Sequence, residues 1–200
     1  MQNKPFSVDL ETWLKSRGSK TVGDLQDVFG EKSFAILFLL FMFIPSLPIP
    51  TGGITNLVLL PTVMVASLQM VFGRRSLWLP WLVKRIKLGD KTIKKALPFI
   101  VRRVRQLERF SRPRLSNLLE KAIPRTILGI SVFVLALASW ISPPFSLLDT
   151  LPSMGGVLIS LAVILEDAAF YLAGLIVGAI GIGLIATAFD LVIAFVQKIF

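Results

Sequence analysis

Gln69, Glu166, Asp167 and Asp190 stand in or beside long apolar runs. Inside a bilayer an ionisable side chain is costly and marks a candidate site of function. Buried there, the Glu166-Asp167 pair would be a proton- or cation-responsive site; at the membrane edge the same carboxylates would simply be solvated. They fail as a glycosidase pair, because neighbours on a helix do not face each other across one bond. The chain has no cysteine and no histidine. That removes disulfides, thiolate catalysis, zinc sites of the Cys/His kind and imidazole acid–base chemistry. No phosphate-binding glycine loop, G-x-S-x-G turn or Asp-rich metal motif occurs. The sequence thus assigns no catalytic residue, no cofactor and no metal, and an enzyme is not expected.

The elements that must position these residues are apolar. Hydrophobic residues make up 54% of the 200, mean hydropathy is +0.74 and 17% are charged, against about 25% charged in an ordinary soluble domain. Between Arg74 and Arg125 lie sixteen Lys or Arg and three acids, with an apolar block on either side. Lys and Arg accumulate in loops that are not translocated, so this connector is expected on the cytoplasmic side. The expected fold is an all-α polytopic membrane protein of four or five spans. Residues 1–32 form a cytoplasmic amphipathic segment, 33–73 a first transmembrane hairpin and 74–125 the basic connector. Residues 126–167 form a second hairpin and 168–200 a C-terminal transmembrane helix.

Each block is about forty residues long and starts after a cation, Lys32 or Arg125. Each is broken near its middle by proline, at Pro45, Pro48 and Pro50 or at Pro143 and Pro144. Each closes on a charged doublet, Arg74-Arg75 or Glu166-Asp167. This pattern reads as an internal repeat of a helical hairpin, with both copies entering from one side. A crossing takes about 20 apolar residues, so Ser33–Ile44 is short and a second arm starting near Ile54 carries Pro61. Re-entrant half-helices are therefore an open alternative to full spans. In the last stretch, Gly174 and Gly178 form a GxxxG pair suited to close helix approach, either within the chain or in a homodimer.

The N-terminal segment carries five acids and five bases with no apolar core, unlike a signal peptide. It reads as two amphipathic helices, one opening near Ser7. The second is capped by a Thr21/Asp24 box and stopped by Gly30. In the connector, Ile93, Leu97, Ile100, Val104 and Leu107 recur at helical spacing, with Pro98 as a kink. Such a segment can lie at the interface with its cations on anionic headgroups. Tethered to membrane at both ends, it is not expected to bind nucleic acid.

The run Ala66-Ser67-Leu68-Gln69-Met70-Val71-Phe72-Gly73-Arg74-Arg75-Ser76-Leu77-Trp78-Leu79-Pro80 resembles the ALQ…GRR…WLP signature of the ExoD exopolysaccharide-synthesis family of bacterial membrane proteins. Gly30 to Phe34, Arg109 to Leu115 and Leu165-Glu166-Asp167 are similar to other parts of that family, and the likeness spans about Thr21 to Gly183. Where the family often has Arg-Asp-Gly, this chain has Glu166-Asp167-Ala168, which puts a glycine-dependent turn there in question. The resemblance implies a cytoplasmic-membrane protein tied to exopolysaccharide production and brings no catalytic residues. Its expected partners are membrane lipids, lipid-linked saccharide or the synthesis machinery. The candidate functional residues are Gln69, Arg74, Arg75, Glu166 and Asp167, with Trp78 and Trp81 as interfacial anchors. A small transporter or channel built from the two hairpins is the competing reading.

Overall fold

The computed structural model describes residues 6–16, 21, 24, 29–48, 53, 55–74, 77–78, 85, 98, 101–102, 105–106, 122–143 and 146–199. The regular elements among these residues are helices, with no strand. The helices are α1 (Phe6–Lys15), α2 (Ser33–Phe43), α3 (Leu60–Val71), α4 (Ala122–Ile141), α5 (Thr150–Leu165) and α6 (Ala168–Ile199).

α2 has no polar face after Ser33, and a helix apolar all round is stable only when covered on every side. Ten of its eleven residues are buried. It packs on α5, while α3 packs on α4 and α6 lies along α5. Leu10 and Trp13 of α1 join the same buried cluster, as do Leu77 and Val101 of the connector. The N-terminal segment therefore docks on the bundle. Its second capping box forms: the Thr21 amide donates to Asp24 Oδ2 at 2.7 Å and the Asp24 amide to Thr21 Oγ1 at 3.2 Å. Gly30 follows in the left-handed region, at φ 52°.

Proline shapes the arms as its chemistry requires. Pro61 has no N–H to close an α-turn, and the backbone ahead of it, Thr55–Leu59, widens into a π turn that leads into α3. Pro152 sits in the first turn of α5, where the missing N–H does no harm. Two helices, Ile123–Ile141 and Ala168–Lys198, are long and apolar enough to cross a membrane. At 1.5 Å per residue α2 rises only about 16 Å and α5 about 24 Å, against a hydrocarbon core of about 30 Å. Exposed apolar stripes run along α4 (Ile123, Ile127, Ile130, Val134) and α6 (Leu172, Ile176, Ile180, Leu184). Contiguous apolar surface of that kind suits lipid or a partner, not water.

The GxxxG pair serves the chain itself. Gly174 and Gly178 are buried on α5, and a Cβ on Gly155 would stand 2.7 Å from the Gly174 carbonyl oxygen. A homodimer would have to use another face.

Candidate functional site

Gln69, Arg74 and Trp78 lie together at the end of α3, and Glu166 and Asp167 form the junction of α5 and α6. α3 ends in a Schellman turn: Gly73 takes φ 79°, its amide donates to Met70 O, and the Arg74 amide donates to Gln69 O, each at 3.0 Å. Only glycine enters that conformation without strain. The turn aims the chain back along α3, and the Gln69 side chain grips it. Gln69 Nε2 donates to Trp78 O and the Trp78 amide donates to Gln69 Oε1, both at 2.7 Å. This two-point clamp fixes Trp78 by its backbone and leaves its indole 55% exposed. Arg74 holds its guanidinium 6.0 Å from the ring centroid, within cation–π range. An exposed, backbone-fixed indole with a cation beside it suits a membrane–water boundary. Arg75 and Trp81 lie outside the described residues, as do Ile93, Leu97, Ile100, Val104 and Leu107.

α5 ends in a comparable turn without glycine. Glu166 itself is left-handed, at φ 55°, and the Asp167 amide donates to Ala162 O at 3.0 Å. The residue at the family's glycine position, Ala168, begins α6 in ordinary helical conformation. The turn thus forms two residues earlier, on a glutamate. Asp167 is buried and its Oδ1 accepts the Ala169 amide at 2.9 Å, capping α6. Glu166 Oε1 lies 3.2 Å from Lys32 Nζ at the start of α2. Across the bundle Arg125, only 7% exposed, reaches the end of α3: its Nη2 lies 3.8 Å from where a Cβ on Gly73 would be.

A second charge contact ties the connector to α1. Arg105 pairs with Glu11, which also accepts Lys15 Nζ at 2.7 Å. The hydrogen bonds from Lys15 and then Arg105 hold the Glu11 carboxyl below the ordinary glutamate range. Asp190 is exposed on the far half of α6, remote in sequence from the α5–α6 junction.

Sequence reasoning missed several polar contacts. Lys32 and Arg125 stood out only as block boundaries, although their shared position was the available signal for a shared role. Ser139 Oγ meets Ser153 Oγ at 2.9 Å between α4 and α5, fully buried. Ser131 meets Tyr171 at 2.9 Å between α4 and α6. Trp140 Nε1 donates to Asn56 O at 3.0 Å. Serine hydroxyls on apolar helices are common interhelical glue, and that was the signal. Asp149, partly buried ahead of α5, was a lone acid in an apolar block and equally readable. Among the described residues no group of three or more acids forms a metal cluster.

A family model described as "Exopolysaccharide synthesis, ExoD" matches residues 7–187. The chain is also 30% identical over 131 residues to an uncharacterized protein, slr1875, of Synechocystis sp.. That match covers 62% of this chain and 57% of the relative, so the chain spans little more than half of the relative's length. No solved structure matches.

Proposed function

The chain belongs to the ExoD exopolysaccharide-synthesis family, and from that premise we propose that it is a non-enzymatic, multi-pass component of the cell inner membrane that supports synthesis or export of exopolysaccharide. One observation carries the non-enzymatic reading. The residues of the family-like signature are engaged in architecture: both ends of the Gln69 amide hold the Trp78 backbone, and Gly73 makes the turn between them. A carboxamide neither gains nor loses a proton near neutral pH, and with both ends held by backbone Gln69 supports a structural part for this segment.

In this reading the connector lies on the cytoplasmic face with its cations on anionic headgroups, each worth about 1 kcal/mol there. Arg74, Arg102 and Arg105 are exposed, in keeping with that role, while Val101 turns inward. The two blocks would be parallel hairpins, and the eleven-residue length of α2 supports a re-entrant first one. Starting α6 at the inner boundary carries Asp190 about 33 Å away, beyond a hydrocarbon core of about 30 Å. Its carboxylate would then meet the far headgroups. Lipid-linked saccharide or the synthesis machinery would dock at the connector end.

Deleting the gene should reduce surface polysaccharide, with rescue by the wild type and poor rescue by Gln69→Leu or Arg74→Glu. Unchanged polysaccharide in the deletion strain would remove this reading. A small transporter or channel is the second reading, motivated by two proline-broken hairpins that could line a shared pathway. It requires liposomes holding the purified protein to pass protons or small ions, with flux altered by Glu166→Gln; tight liposomes would exclude it.

A further inference from the structure

The starts and ends of the two apolar blocks meet crosswise. Lys32, ahead of the first block, contacts Glu166 at the end of the second. Arg125, ahead of the second, lies against Gly73 at the end of the first. The two leading cations are 93 positions apart, 125 against 32, and so are the two left-handed closing residues, 166 against 73. The same offset places Arg74 on Asp167, whose amides each donate to the carbonyl five residues earlier at 3.0 Å. It also places Ser67 on Ser160, both buried with hydroxyls turned back on their own helix. This register is one residue away from laying the charged doublet on the charged doublet. Packing follows the same exchange. α2 on α5 is the counterpart of α3 on α4, and both cross-block pairings are more extensive than the packing within either block.

We infer that the two hairpins form a pseudo-two-fold pair closed at the connector end by two crosswise latches, and that Lys32–Glu166 is the latch that opens. The inference rests on the two-hairpin reading above, not on the role in polysaccharide synthesis. The two latches are built from opposite local choices. At Arg125 the closing residue is a glycine, which takes the left-handed position without strain, and the cation is 7% exposed against the C-terminal end of α3, where the helix dipole attracts it. At Lys32–Glu166 the closing residue is the unfavourable one. A glutamate holds a left-handed backbone that favours glycine. Its carboxylate stands at the C-terminal end of α5, the pole that repels it, while Lys32 stands at the start of α2 as Arg125 does at the start of α4. The pair's proximity is what offsets both mismatches. Its side chains are 38% and 23% exposed, so an anionic headgroup can compete for Lys32. Such concentrated disregard of local preference is characteristic of positions selected for function. When this latch parts, the α2–α5 seam loosens at the connector end while α3–α4 stays closed.

Hydrogen exchange of the full chain in phosphatidylcholine nanodiscs tests this at the two equivalent amides, Asp167 and Arg74. With rates corrected for neighbouring residues, Asp167 should be at least tenfold less protected than Arg74. Lys32→Met should lower Asp167 protection further and leave Arg74 unchanged. The double exchange Lys32→Glu with Glu166→Lys puts each charge at its favoured pole, so Asp167 should become better protected than in the wild type. Equal protection of the two amides in the wild type would overturn the inference, and so would a double variant no better protected than wild type. If the double variant does not fold, Lys32→Met decides alone, and unchanged protection of Asp167 refutes the latch. The readout is independent of polysaccharide, so failure of the proposed function leaves it standing and the reverse also holds.

Discussion

The close contact between α5 and α6 offers a controlled perturbation. A Cβ added to Gly174 would lie 2.8 Å from the Gly155 carbonyl oxygen and 3.0 Å from the Ile159 amide nitrogen. Ordinary contact begins near 3.4 Å, and both obstacles are backbone, which cannot rotate aside. α5 and α6 must therefore separate by roughly half an ångström along much of their shared length, at about 1–3 kcal/mol for an overpacked core. Nine residues along the same helix, a Cβ on Gly183 meets nothing within 4 Å. Alanine gains about 1 kcal/mol of helix preference over glycine at either position. That gain cancels in the comparison, so Gly174→Ala should be about 1–3 kcal/mol less stable than Gly183→Ala. Unfolding of both variants in the same detergent, followed by loss of helical circular dichroism, measures the difference. Equal stabilities would mean that α6 does not sit on α5 in this way. Gly156→Ala is the intermediate case, since its new methyl would meet only the flexible side chain of Met42.

Gln69→Leu removes both bonds to Trp78 and should raise amide exchange there by about tenfold, consistent with roughly 0.5–1.5 kcal/mol for each hydrogen bond; unchanged exchange would show that the clamp is not formed. Gly73→Ala forces a methylated residue to φ 79° and should lower stability by about 1–2 kcal/mol, read as a shifted unfolding midpoint. The Glu11 carboxyl is held low by Lys15 and Arg105, so its tie to the connector persists above the ordinary glutamate range. The tie is lost only as the pH falls through the depressed value. A variant retaining Trp13 alone, with the other tryptophans changed to Phe, should report this acid step by fluorescence, and Glu11→Gln should abolish it.

The sequence told most where a single segment decided its own structure. α4 and α6 followed from uninterrupted apolar runs, and the Thr21/Asp24 box from a spacing of three. The Pro61 arm began near Ile54 as its length required, since the π turn starts at Thr55. What stayed illegible depended on neighbours. An all-apolar α2 reads alike whether lipid or protein surrounds it, and here protein covers it almost completely. The Lys32–Glu166 contact spans 134 positions, and no local pattern couples its members. The turn at Glu166 runs against glycine preference, and its contact across the seam with Lys32 is invisible to any local pattern. The clamp at Gln69 could be read only as a hydrogen-bonding residue near a helix end, with its target unspecified.

The orientation of the hairpins admits one direct measurement. The chain lacks cysteine, so Arg102→Cys places a single thiol on the exposed face of the connector. A membrane-impermeant maleimide added to intact cells should leave it unlabelled and should label it fully once the membrane is permeabilised. Labelling in intact cells would put the connector outside and contradict the account.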